Sequence, residues 1–190
     1  MATLDLQVGA GADDTLHNIN QTTLAHTFNA ASLIYRWGNL LSAGVNYVYA
    51  CDARFTSITI GQGNTIDVAY LTLTARTSLS VTVVRTNIQA IDEDNAAIAT
   101  SDAEHDADPL TTALVAWDSI AAWTGDVAYN SPSIVSVIQE IVDRAGWASG
   151  NAIVIRWLDD GSDSDAKRDG YTYNSSTTKA PKLHIEYTAG

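Results

Sequence analysis

The sequence predicts an all-β protein: an antiparallel β-sandwich of the jelly-roll kind, with one amphipathic helix docked on it near residues 132–145. Three observations carry this. Short runs alternate apolar and polar residues along most of the chain, as strands with one buried face do. Turn-forming residues separate the runs at short intervals. A single stretch, opening at Ser131, switches to helical spacing. With 190 residues and 46% hydrophobic content, the chain can bury the core of one domain, and it shows no internal repeat or linker.

Leu4, Leu6 and Val8 alternate with Asp5 and Gln7, which makes a first strand before the turn-rich break at 9–14. Residues 23–29 read as a short strand. Leu33, Tyr35 and Trp37 alternate next. Val45, Tyr47, Tyr49 and Cys51 follow, with a bend expected near Asp52 and a continuation over 55–60. Gly61-Gln62-Gly63-Asn64 is a tight turn into Ala69, Leu71, Leu73 and Ala75. Leu79, Val81 and Val83 begin another strand that runs on to Ile88. Residues 92–109 are a long acidic loop, 123–130 a second loop, and 159–169 a third, also acidic. Val115 and Trp117 mark a strand between the first two. Residues 151–158 read as a buried strand. The last strand carries Leu183, Ile185 and Tyr187 on one side and Lys182, His184 and Glu186 on the other, so each sheet is expected to keep one wet face.

In the helix, Ser131 is read as the N-cap and Pro132 as the first helical residue, where a missing N–H is harmless. Ile134, Val137, Ile138, Ile141, Val142 and Ala145 form one apolar face, and Gly146 is the expected left-handed stop. So many β-branched residues make a poor isolated helix, so packing has to hold it.

Twenty-two acidic against ten basic residues give a net charge of −12. That argues against nucleic acid and against an anionic membrane, because no basic footprint exists to neutralise phosphates. No apolar run reaches the roughly 20 residues of a membrane-spanning helix. Residues 1–14 lack a basic and then apolar opening, so no export signal is read in them. Cys51 is single and lies in a strand-like run, as a small buried hydrophobe does.

Arg54-Phe55, Gly63-Asn64-Thr65-Ile66 and Ala69-Tyr70-Leu71 together resemble the strand–turn–strand core of DNRLRE-type domains, which overlap the family-96 carbohydrate-binding modules. The closing run from Ala180 to Tyr187 resembles the last strand of those domains. The middle of the chain, with Ile91 to Asn95, Ser131-Pro132, Gln139 to Val142 and Gly146 to Asn151, is similar to a branch found in large surface proteins and phage particle proteins. The resemblance covers residues 45–188. It implies a jelly-roll sandwich and a non-enzymatic role, and no family motif fixes glycan-binding residues here.

His17, His26, His105 and His184 are scattered, without the paired spacing of metal ligands, and are read as surface histidines. No nucleophile elbow and no Cys–His pair is present. Two acidic clusters have the oxygen-rich composition of calcium loops. The candidates there are Asp92, Asp94 and Asn95 in one and Asp163 and Asp165 in the other, although neither follows the EF-hand order. The competing reading is a solvated acidic surface, with no cofactor. Trp37, Trp117 and Trp157 are expected in the core. Trp123, Trp147, Tyr171 and Tyr173 lie in loops and are the candidates for stacking on a sugar ring; the alternative is that they plug the ends of the sandwich.

Two functional classes follow. The first is a non-enzymatic structural or decoration protein of a particle surface, a phage virion foremost, built from a self-associating domain. The second is a carbohydrate-binding module on an extracellular or cell-surface protein, with a polysaccharide as partner. The first implies a homo-oligomer or seating in a larger protein shell. Its contact should fall where formal charge is sparse: residues 21–41, with only Arg36, or 123–133, with only Asp126.

Overall fold

The computed structural model describes residues 1–80, 83–118 and 120–190, and the described chain is a two-sheet antiparallel sandwich. In order it runs β1 (Ala2–Gln7), β2 (Asp14–Asn20), β3 (His26–Asn29), β4 (Tyr35–Ser42), β5 (Val45–Phe55), β6 (Thr65–Thr74) and β7 (Thr86–Ala90). It continues with α1 (Asp102–Ala107), β8 (Val115–Trp117), β9 (Ala128–Asn130), α2 (Val135–Val142), β10 (Ile153–Asp159), β11 (Lys167–Gly170) and β12 (Lys182–Thr188). One sheet has the order β1-β12-β6-β9. The larger has β11-β4-β5-β10-β7-β8, with β2 added on β5 and β3 on β2.

The pleat explains which residues meet. Leu6, Leu183 and Leu71 stand in one row across β1, β12 and β6, and Leu4, Ile185 and Ala69 in the next. In the larger sheet, Leu16, Cys51, Trp157 and Ile88 form the matching inward row. The two inward faces close one core, in which the Trp37 and Trp157 rings stack 5.5 Å apart. The Tyr35 hydroxyl, buried beside them, donates to the Asp52 carbonyl at 2.6 Å.

The outward row of the larger sheet is not wet. Thr15, Asp52, Arg156 and Gln89 lie on it, and Asp52 and Arg156 are 0% and 2% exposed. The segment expected as a solvated acidic loop covers them. It carries α1 and packs Ile91, Ala96, Ile98 and Leu110 with Val154 as a small second core.

The helix at 132–145 exists but is shorter at both ends. α2 spans Val135–Val142, with Ile134 rather than Ser131 at the N-cap. Ser131 and Ile134 still donate their backbone N–H groups to Leu71 and Ala69 of β6, at 2.9 Å each, so the chain cannot turn helical earlier. Gly146 is not left-handed; it is small because a Cβ there would lie 2.0 Å from Asp94 Oδ2. Ala145 is exposed, past the helix end. The apolar face, with Val137, Ile138, Ile141 and Val142 buried, is as read. The polar residues opposite are not simply solvated. Gln139 accepts from Ile66 N–H at 2.7 Å, and Glu140 accepts from Thr112 and Ala113 at 2.8 and 2.7 Å.

Other departures are local. β5 passes through Asp52 without a break and ends at Phe55, while Ile58 and Ile60 are buried outside any strand. β2, β9 and β11 are strands where the sequence showed none. Leu79 bridges to Trp123; Val81 lies outside the described residues.

Candidate functional site

Three of the four histidines converge on the covered face of the larger sheet. His17 sits on the outward side of β2, and His26 on the adjoining edge strand β3, where Ile19 is its register partner. His105 descends from α1. Its ring stacks on that of His17, with centroids 4.1 Å apart, and the His26 ring meets His17 edge-on at 5.1 Å.

α1 brings the acids. Ser101 caps it, accepting from Glu104 N–H at 3.3 Å. Asp102 and Asp106, four residues apart, then share one face with His105 beside them. His17 Nε2 is 3.3 Å from Asp102 Oδ1 and 3.8 Å from Asp106 Oδ1, and His26 Nδ1 is 2.8 Å from Asp106 Oδ2. His17 is 2% exposed, yet neither its Nε2 nor Asp102 Oδ1 makes a hydrogen bond. Among the described residues, His17, His26 and Asp106 are the group whose ligand atoms all lie close enough, within 4.8 Å, to hold one metal ion. A pocket of about 150 Å³ opens beside them, with His17, Tyr49, His105 and Asp106 in its wall.

Arg156 fixes the helix over this site. Its Nε and Nη2 donate to the two Asp52 oxygens at 2.7 Å each, Nη2 also to Asp108 at 2.7 Å, and Nη1 to the His105 carbonyl at 2.6 Å. A buried bidentate pair thus also caps the last turn of α1. Burial, reinforced by the stacked His105, lowers the His17 pKa to about 4. Burial likewise lowers that of His105. Both shifts favour the uncharged imidazole.

The residues singled out from the sequence fall elsewhere. Trp123 and Trp147 are 3% and 4% exposed, so neither ring face is open to a sugar. Trp123 stacks on Tyr129 at 5.0 Å, and Trp147 donates its indole N–H to the Ile60 carbonyl at 3.0 Å. Both plug the sandwich, because large apolar rings next to an unfilled core are drawn in. Tyr171 is half-buried under Lys179, whose Nζ stands 4.8 Å over the ring, and its hydroxyl donates to Asp126 at 2.7 Å. Tyr173 packs against the core edge. Asp92 and Asp94 both accept from Arg144, the second at 2.7 Å. The Asn95 side chain accepts from Ala152 N–H at 2.9 Å. A guanidinium thus engages one oxygen of each of these two carboxylates, and a backbone amide the Asn95 side-chain oxygen. Asp165 accepts from Lys167 at 2.6 Å, and Asp163 is exposed.

His184 does stand on the outward side of β12, paired with Asp5 at 2.7 Å and stacked on Tyr70. Of the other three, His26 is exposed on its edge strand as read, whereas His17 and His105 are buried, because the elements that cover them come from far apart in the chain. One signal was available: Ser101-x-x-Glu104 has capping-box spacing, which would have put Asp102, His105 and Asp106 on one helix. The chain matches no protein-family model and no curated protein.

Proposed function

We propose that this chain is a non-enzymatic structural or decoration protein of a particle surface, a phage virion foremost, that works by associating with copies of itself. The observation that carries the reading is the distribution of exposed apolar side chains. Leu24 and Leu41 are 69% and 45% exposed. Both lie at one end of the larger sheet: Gln21 N–H donates to the Asn46 carbonyl, and Leu41 is the register partner of Asn46. Beside them, β3 is an edge, paired with β2 alone. All of this falls within residues 21–41, where Arg36 is the one formal charge and is itself paired with Asp169 at 2.7 Å. With a net charge of −12, two copies repel except across a patch of this kind, so the occupant that fits is a second copy.

Two further observations support a non-catalytic role. The buried carboxylate Asp52 and the largely buried Asp169 are each tied to an arginine, so neither is free as an acid or base. The two loop tryptophans that would favour the carbohydrate-binding alternative are inside the core. The resemblance of residues 45–188 to DNRLRE-type domains fits the same reading.

Sedimentation at micromolar concentration tests it. The expected result is a symmetric oligomer with an interface on the order of 1,000 Å² or more, which Leu24→Lys with Leu41→Lys dissociates. A monomer that binds a defined polysaccharide would overturn this in favour of the carbohydrate-binding module. For a monomer without glycan binding, presence in purified particles decides, and absence from them rejects the proposal.

A further inference from the structure

We propose that His17, His26 and Asp106, with Asp102 beside them, bind one divalent transition-metal ion of the zinc type. The donors are the first argument. Two imidazole nitrogens and carboxylate oxygens are the set that borderline-soft divalent ions take, whereas calcium and magnesium take oxygen alone. The two carboxylates, Asp106 and Asp102, would together offset the ion's charge of +2.

Spacing is the second. Metal–ligand bonds of about 2.0–2.1 Å in a tetrahedron put neighbouring donors about 3.3 Å apart. The observed separations, 3.3 Å from His17 Nε2 to Asp102, 3.8 Å to Asp106 and 2.8 Å from His26 to Asp106, bracket that value. The ligand atoms of His17, His26 and Asp106 all lie within 4.8 Å of one another.

The third argument is the unmet polar atoms. His17 Nε2 and Asp102 Oδ1 are both buried, face one another and make no hydrogen bond. A buried unsatisfied group is destabilising, and native proteins rarely keep two together. An ion between them satisfies both at once. The support around the donors is also in place. His105 stacks on the His17 ring and its Nδ1 lies 3.5 Å from Asp106 Oδ1. Such secondary contacts orient the ligands of metal sites. Arg156, the nearby cation, is neutralised by Asp52 and Asp108.

The ion would tie α1 to the paired strands β2 and β3. This inference does not depend on the assembly reading; a monomer can bind the metal, and an oligomer can lack it.

The test is calorimetric titration of the metal-free full chain with zinc chloride, followed by cobalt(II) spectroscopy. Expected are one ion per chain, visible cobalt bands of a mixed nitrogen–oxygen site, and a higher melting temperature with zinc. His26→Ala and Asp106→Asn should each weaken binding at least tenfold. His26 lies on an exposed edge strand, so its variant keeps the fold even where His17→Gln does not. His184→Ala should leave the affinity unchanged. Absence of saturable binding would overturn the proposal and leave plain imidazole–carboxylate pairs. So would affinity untouched by His26→Ala, affinity lost with His184→Ala, or equal competition by calcium.

Discussion

Arg156→Met tests whether the ion pair under α1 holds the covered face together. The substitution keeps much of the apolar stem and removes the guanidinium. It leaves the Asp52 carboxylate, 0% exposed, without either of its 2.7 Å donors, and it releases Asp108 and the His105 carbonyl. Removing one partner of a buried, hydrogen-bonded pair costs about 3–5 kcal/mol. The unfolding entropy of about 2.1 cal/mol/K per residue, taken over 190 residues, is about 0.4 kcal/mol/K. A loss of about 4 kcal/mol therefore lowers the melting temperature by about 10 °C. Differential scanning calorimetry at pH 7 measures it directly. A second variant separates charge from packing: Asp52→Asn with Arg156→Met removes the stranded charge and should recover more than half of the loss. The reasoning is refuted if the single variant melts within about 3 °C of the parent, or if the double variant is no better than the single.

Asp14 gives a pH dependence of known sign. Burial raises its pKa from 3.8 to about 7, against the opposing Tyr173 N–H and with help from Asp13. The folded state thus binds a proton more tightly than the unfolded, so this contribution is whole below about pH 4 and is lost as pH rises through 7. Asp14→Asn should raise stability at pH 8 by on the order of 2 kcal/mol, below the roughly 4 of the full shift because the new amide needs a buried acceptor, and the gain should vanish near pH 4 in chemical denaturation. Ile138→Asp puts an unpaired carboxylate on the fully buried face of α2 and should unfold the domain or lower its midpoint by more than 10 °C in a thermal melt followed by circular dichroism. Gly38→Ala combines a φ of +89° with a Cβ 2.3 Å from the Ala166 carbonyl, and should cost a few kcal/mol in urea denaturation. Calcium should leave the melting temperature unmoved, since Arg144 and Lys167 already hold Asp92, Asp94 and Asp165.

The sandwich was legible because most inward rows alternate cleanly; Leu4 and Leu6, or Leu183 and Ile185, are visible in any window of the sequence. What failed was the covered outer face. β2 reads Asp-Thr-Leu-His-Asn-Ile-Asn, and with polar residues on a buried side it shows no apolar alternation. Tyr173, whose N–H donates to Asp14, and α1, which covers His17, are both remote in sequence. β9 and β11 are short strands of mixed polarity, held by backbone pairing to β6 and β4, and backbone pairing leaves no mark on side-chain pattern. The helix was read from its stripe, yet its length was set by where β6 releases residues 131–134. For the loop tryptophans the sequence left two readings, sugar-stacking faces or plugs, because loop position does not fix depth; their burial is that of plugs. The histidine cluster needed tertiary structure, except for the one face of α1 that its capping spacing could have given.

The place of β12 bears on how the chain is made. It lies between β1 and β6 in the smaller sheet, and β1 has no other strand neighbour there. Of the described strands, β1 is made first and its partner β12 last. Until the final strand is out, the apolar rows of β1 and β6 have nothing between them, and the core of the larger sheet stays open on that side. A nascent chain must therefore carry Leu4, Leu6, Ala69 and Leu71 uncovered from when each is made until β12 has emerged, and such exposed strand edges invite pairing with neighbouring chains. The smaller sheet therefore closes only once β12 is available, and the yield of folded sandwich should depend on how crowded with its own copies the site of synthesis is.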